Sequence, residues 1–258
     1  MTMVRPALRV AEYDLLTFQK SWKSAVMLYV ISPVLFLSAM GLGLGGLVAS
    51  GRGNVGGVSY LQFLAPGLLV TTAMQTGAAD TTYPIMNRLL WSRIYEAMLN
   101  TPLRIGDVLA GELLWVTARL GVASSIFYLV ALCFGAGLSG LSVLAIPVAV
   151  LTGLAFAAPV LAFTATQRND NGFSSLMRFI ILPLFLLGGS FFPVTQLPRV
   201  LQGVAWTTPL THGVALARDL YLGVAGMPSA LAHLAVLAAY TGIGIAVARV
   251  TMSRRLVV

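Results

Sequence analysis

Long stretches of this chain carry no charged side chain, and the position of those stretches sets its architecture. From Leu120 to Gln167, 48 consecutive residues are uncharged. About 20 apolar residues in a helix cross the roughly 30 Å hydrocarbon core of a bilayer, so this stretch crosses about twice. The break falls at Gly135–Gly140, a Gly- and Ser-rich tract that favours a turn. Uncharged runs bounded by polar segments predict six spans, near 24–48, 60–82, 107–134, 141–166, 173–192 and 228–249. The fold class is therefore all-α integral membrane, with one transmembrane domain over 1–258. The first run has 25 uncharged residues, against roughly 7–15 for the core of a secretory signal. A retained first helix is the better reading.

Between the spans lie the segments with chemistry. Leu8, Ala11, Leu15, Phe18 and Trp22 recur at spacings of three and four. That is one apolar helical stripe, with Arg9, Glu12, Lys20 and Lys23 left for the wet side. A helix over 1–23 would lie in the membrane interface or simply anchor the first span. Residues 86–101 are good helix formers, and Pro102 forbids simple continuation. Arg93 and Glu96 are spaced i,i+3, and the spacing places Arg88, Ser92 and Glu96 on one face. The segment reads either as a docking surface or as a solvated connector. Residues 191–222 are too broken by Pro193, Pro198 and Pro209 to span, and too apolar for a plain loop. They predict a pair of short re-entrant or interfacial helices.

Asp80, Glu112 and Arg119 fall at membrane depth. An ion at the bilayer centre costs about 2.5–3.5 kcal/mol on insertion scales, so each needs a partner, water or the interface. Glu112 and Arg119 are seven apart, hence on one helix face. Two readings stay open: a charged mouth of a pathway, or interhelical ion pairs. His212 and His233 have neither a carboxylate nor a second His at ligand spacing, so a metal role is not predicted. Gly41–Gly46 matches G-x-G-x-x-G but follows no strand. Gly41-x-x-x-Gly45 reads as a close helix contact or as local flexibility, not a dinucleotide site.

Composition narrows the class. Apolar residues make up 58% of the 258 and charged residues 9%, with mean hydropathy +0.88. Soluble domains carry about 25% charge, so no sizeable soluble domain is hidden. The net charge of +8 resides at span ends rather than in one patch, which argues for anionic lipid headgroups and against nucleic acid. Eleven basic residues flank one side of the six spans and three the other, so both termini are predicted to be cytoplasmic. Cys133 is the single cysteine, which rules out an internal disulfide. Lys20 and Lys23 are the only lysines, and no P-loop, H-E-x-x-H or G-x-S-x-G motif is present. An active transporter of this build would need its engine on another chain.

The run Tyr95–Trp115, with Tyr95-Glu-Ala-Met-Leu-Asn-Thr-Pro102 leading into Glu112, resembles the coupling region of type-2 ABC-transporter permeases. The nearest branch is that of NodJ-like and daunorubicin-exporter permeases. Leu187–Pro198 and Trp206–His212 resemble the outer segment of the same family. The resemblance covers nearly the whole chain. It implies a permease that forms a homo- or heterodimer in the plasma (inner) membrane and pairs with two ATPase subunits. ATP and Mg would be held by those subunits, with no cofactor on this chain. It further implies that Arg93, Glu96, Leu99 and Pro102 lie at or beside the ATPase contact. Glu112 and Asp80 stand where that family tends to carry acidic residues; on the pathway reading of charge at membrane depth, Asp80, Glu112 and Arg119 would serve the pathway or its gate. The expected function is export of an amphipathic, lipid-linked or drug-like substrate. The alternatives are an intramembrane enzyme, disfavoured because no catalytic pair shares one depth, and a passive channel, which needs no coupling helix.

Overall fold

A computed structural model describes residues 4–19, 22–44, 58–137 and 139–256. Its architecture is all-helical. Helix α1 (Val4–Phe18) precedes α2 (Trp22–Phe36), which continues as a π-type helix over Leu37–Leu44. Next come α3 (Tyr60–Asp80), the short α4 (Tyr83–Met86) and α5 (Ile94–Leu99), and the long α6 (Ile105–Cys133). Helix α7 (Ala145–Thr166) follows a 3-10 turn, and α8 (Asn171–Leu176) joins α9 (Leu182–Leu187) through a π-type turn. Helices α10 (Arg199–Thr207), α11 (Pro209–Leu222) and α12 (Met227–Leu256) complete the chain.

Among the described residues, three helical segments are long and apolar enough to cross a membrane: Ile105–Cys133, Gly140–Thr166 and Met227–Leu256. Tyr29–Met40 and Asn171–Leu187 are shorter apolar helices. The predicted break at Gly135–Gly140 is present. Helix α6 stops at Cys133, Gly135 adopts φ 76°, and a 3-10 turn starts at Gly140. Only glycine takes that left-handed backbone without a Cβ penalty. Gly45, the second residue of the predicted Gly41-x-x-x-Gly45 contact, lies outside the described residues.

Local chemistry explains the helix ends. Ser59 caps α3: its Oγ accepts from the Gln62 N–H at 3.3 Å, while its own N–H donates to Gln62 Oε1 at 3.1 Å. Two otherwise orphaned donors are thus satisfied. At α6, the Asp107 carboxylate accepts from the Arg104 N–H at 2.9 Å, and its negative charge favours the positive end of the helix.

Helix α7 forms the centre, against α3, α6, α11 and α12. Its buried face is small: Ala149, Ala157 and Ala158 are fully covered. Small residues let helix backbones approach closely where lipid supplies no hydrophobic drive between helices. At the α3–α7 crossing, a Cβ on Gly77 would stand 2.5 Å from the Gly153 carbonyl oxygen. Buried hydroxyls finish the contact, with Thr164 Oγ1 donating to the Thr81 carbonyl at 2.7 Å.

Residues 191–222 hold a helix pair, as expected from their prolines, but its halves differ. Helix α10 is largely exposed, whereas α11 buries Leu210, Val214, Ala217 and Tyr221 in the central core. The Tyr240 hydroxyl donates to the Thr207 carbonyl at 2.6 Å. Tyr240 lies 13 residues along α12, about 20 Å from its start at 1.5 Å per residue. The tip of the α10–α11 hairpin therefore reaches well down the side of α12.

The crossing generates a prediction of sign. Alanine in place of glycine inside a helix gains about 1 kcal/mol from propensity. Overpacking costs about 1–3 kcal/mol. Gly77→Ala should therefore lower the melting temperature in detergent micelles. Gly121→Ala, whose Cβ would meet nothing within 4 Å, should raise it or leave it unchanged. Equal shifts in both variants would show that the α3–α7 approach is not tight.

Candidate functional site

The segment between α3 and α6 meets Glu112 near the start of α6, where three elements converge on a buried guanidinium. The segment between α3 and α6 is not the continuous helix expected over 86–101. Helix α4 passes into a π-type turn over Asn87–Trp91, and the chain then breaks at Ser92 and Arg93 before α5. Arg93 adopts φ 50°, a left-handed backbone that costs a non-glycine residue energy. The break separates residues that regular helical spacing puts on one face. Glu96 and Ser92 are exposed, while the Arg88 side chain is only 14% exposed.

Arg88 turns inward because two carboxylates await it. Its guanidinium meets Asp14 of α1 at 2.5 Å and also pairs with Glu112 of α6. Tyr95 of α5 is fully buried beside them. Burial, and after it the Glu112 charge, pushes the Tyr95 hydroxyl well above the usual tyrosine range. Burial also pushes Asp14 up to about 7, and the neighbouring Glu112 adds to the shift. One cation facing two carboxylates leaves a surplus negative charge, so a proton on Asp14 relieves it.

Helix α1 docks by a face that differs from its apolar stripe. Ala7, Val10 and Asp14 are buried, while Leu8 and Leu15 of the stripe stay exposed. The docking is close: a Cβ on Gly111 of α6 would stand 2.5 Å from Val10 Cβ. Trp22, which the spacing joined to this stripe, instead begins α2.

A second charged contact lies further along α6. Arg119 pairs with Asp80, the last residue of α3, at 2.9 Å. It also donates to the Tyr29 hydroxyl of α2 from Nη2 at 2.9 Å and from Nε at 3.2 Å. Glu112 and Arg119 thus share a helix face without pairing with each other. Above Arg119 a cleft of about 230 Å³ opens between α2, α3 and α6. Ser32, Thr72, Gln75 and Thr76 place polar groups in a wall that Pro33, Ala79, Ala123 and Phe127 keep mainly apolar.

The expected docking residues divide. Arg93, Glu96 and Pro102 lie on the exposed surface, whereas Leu99 is half-buried against the cluster of Ile85, Leu89 and Tyr95. The Arg93–Glu96 pair is 3.9 Å apart with both side chains mostly exposed, so it adds little stability. Asp14 and Tyr29 were not singled out in sequence. The one available signal for Asp14 was its place seven residues after Ala7, on the face that carries Val10.

The two histidines, which sequence spacing kept apart, meet across α11 and α12. His212 Nδ1 lies 2.8 Å from His233 Nδ1, and Trp206 stacks on His233. His212 Nε2 lies 3.0 Å from the Trp206 carbonyl, which can only accept. A neutral His212 therefore presents a bare Nδ1 to the N–H of His233. Among the described residues no group of three metal-ligating side chains occurs.

The family model for ABC-2 type transporters matches residues 12–222. This chain belongs to the ABC-2 type transporter family. The chain is 38% identical to a nodulation protein J of Rhizobium leguminosarum bv. trifolii over 208 residues, covering 79% of this chain and 78% of that protein. It is 34% identical to nodulation protein J of R. leguminosarum bv. viciae over 240 residues, covering 92% and 91%. The inner membrane transport permease YadH of Escherichia coli K12 is 24% identical over 222 residues, covering 82% and 80%. Membership makes the chain a membrane-embedded transport permease rather than an enzyme, and it implies an ABC-type ATPase partner.

The Asp14 environment gives the charged hub a pH signature. A carboxyl whose pKa is raised in the folded state contributes stability that is complete below its unfolded value, near 3.8, and lost as pH rises through about 7. Melting temperature in detergent should therefore fall across that window. Asp14→Asn, which cannot ionise, should flatten the fall. An unchanged slope would remove Asp14 as its source.

Proposed function

We propose that this chain is the permease subunit of an ATP-driven exporter, a single transmembrane domain over 1–258. It crosses the inner membrane six times with both termini in the cytoplasm. The observation that carries the reading is the Asp14–Arg88–Glu112 cluster. It joins α1, the 83–102 segment and α6 through buried charge, while Arg93, Glu96 and Pro102 stay exposed at the edge of the same body. A load applied to that edge is passed to the membrane helices rather than absorbed in a loose loop.

In this reading the permease dimerises, as a homo- or heterodimer, and docks two ATPase subunits. ATP and Mg are held by those subunits. Closure of the ATPases pushes α5, and α6 carries the push to Arg119, Asp80 and the cleft beside them. An amphipathic or lipid-linked substrate then leaves the cytoplasm or inner leaflet. The α10–α11 hairpin is the re-entrant element that caps the exit, a role supported by the reach of Thr207 to Tyr240. A passive channel would have no use for a buried charge cluster beneath an exposed docking edge.

Orientation is tested by thiol labelling in a Cys133→Ser background. A cysteine at Gln196, exposed in the outer segment, should react with an impermeant reagent added to sealed cells. Cysteines at Asn100 and Asn169 should not. Reversed labelling would overturn the topology.

Coupling is tested at Glu96. Its side chain is 55% exposed, so Glu96→Arg should change folding by no more than about 0.5 kcal/mol. At a docked interface the reversed charge should cost several kcal/mol, of order 2–5. The expected outcome is normal membrane levels, weakened co-purification of the ATPase and loss of substrate-stimulated ATP hydrolysis in vesicles. Intact binding and coupling would reduce the segment to a connector.

A further inference from the structure

Charge at membrane depth in this chain is almost fully matched. Arg119 has Asp80, and Glu112 has Arg88. Arg178 differs. It lies seven residues into the apolar helical segment Asn171–Leu187, and its side chain makes no ion pair or hydrogen bond among the described residues. It is exposed, and it sits in the π-type turn Met177–Ile181. Such wide turns inside helices occur frequently at functional sites.

Two concavities meet beside Arg178. One is an open groove of about 660 Å³ between α7, the α8–α9 segment and α12, with the hairpin tip at Thr207–Pro209 closing it. Phe156, Phe163, Ile180 and Leu184 make its wall apolar. The other carries Ser174, Ser175 and Arg178. Ser175 and Phe179 line both, so a polar, cationic lip adjoins an apolar trough. Neither shape alone names a ligand. Together they match a molecule with an anionic head and a hydrocarbon tail.

We infer that Arg178, with Ser174 and Ser175, binds the phosphate of an inner-leaflet anionic lipid whose acyl chain occupies the groove between α7, α8–α9 and α12. The inference rests on the proposed topology, in which the Asn171 end of this helix is cytoplasmic. Side chains on a helix lean toward its N-terminus, so the guanidinium rises toward the inner headgroups. That is where anionic lipid concentrates. A second copy of this chain is the weaker occupant. Asp80 and Glu112 already pair with Arg119 and Arg88, and Asp107 is engaged by the Arg104 N–H, so the spans of a second copy offer Arg178 no unengaged carboxylate.

The test needs neither ATPase nor substrate, so it stands or falls separately from the exporter reading. Purified permease is equilibrated with equal phosphatidylglycerol and phosphatidylcholine, and bound lipid is counted by native mass spectrometry. The wild type should favour phosphatidylglycerol roughly fivefold, as one basic residue near an anionic headgroup gives. Arg178→Gln should abolish the preference while lipid still binds, and Arg178→Lys should keep most of it. Ser175→Trp, at an exposed position on the shared lip, should reduce binding of both lipids. An unchanged preference in Arg178→Gln would overturn the proposal. So would displacement of phosphatidylglycerol by inorganic phosphate alone, since the acyl chain would then contribute nothing. Dissociation of a dimer by Arg178→Gln without a change in lipid preference would assign the face to a second copy.

Discussion

A guanidinium taken out of water must be neutralised where it lies, and through that requirement Arg88 organises the end of this permease where α1, α5 and α6 meet. Breaking a buried pair by removing one partner typically costs about 3–5 kcal/mol, because a charge is left uncompensated. Arg88 holds two carboxylates from two other helices. Helix α1, the turn and α6 therefore cannot slide past one another without uncovering charge. The close approach of α1 at Gly111 and the buried ring of Tyr95 are consequences of the same clamp. The left-handed backbone at Arg93 marks the break between the Arg88 turn and α5.

Much of the frame was legible in the sequence because it depends on composition over long windows. The uncharged run 120–167 gave two helices and the turn between them, and the prolines of 191–222 gave the helix pair α10–α11. Residues 86–101 were misread for a local reason. A 3.6-residue period places Arg88, Ser92 and Glu96 together, but the π-type turn and the left-handed Arg93 rotate Arg88 to the opposite side. Nothing in the segment's own sequence announces that rotation. Its cause is Asp14 and Glu112, which lie far away in the chain.

The histidine pair was hidden for the same physical reason. His212 and His233 are 21 residues apart and belong to different helices, so no spacing rule joins them. The reach of the α10–α11 hairpin down α12 brings them together, and the Tyr240 hydroxyl fixes that reach at Thr207. Arg119 shows the opposite case. The cost of burying its charge demanded a partner, and Asp80 was among the few candidates the sequence offered. Tyr29 could not be foreseen, since a tyrosine in an apolar helix carries no such demand.

The two charged contacts of α6 explain how a push at the cytoplasmic edge reaches the membrane interior in the proposed mechanism. Glu112 and Arg119 are seven residues apart, about 10 Å along the axis. Between them the helix runs without a proline, so it transmits displacement rather than bending. A tilt imposed at Glu112 through Arg88 must therefore appear at Arg119. There it meets α3 through Asp80 and α2 through Tyr29, the helices that wall the cleft. The Asp80 joint carries charge on both partners and the Tyr29 joint on one only, so the ion pair is the stiffer of the two. Displacement should thus carry α3 with α6 and part both from α2, widening the cleft on the side of Ser32 and Pro33.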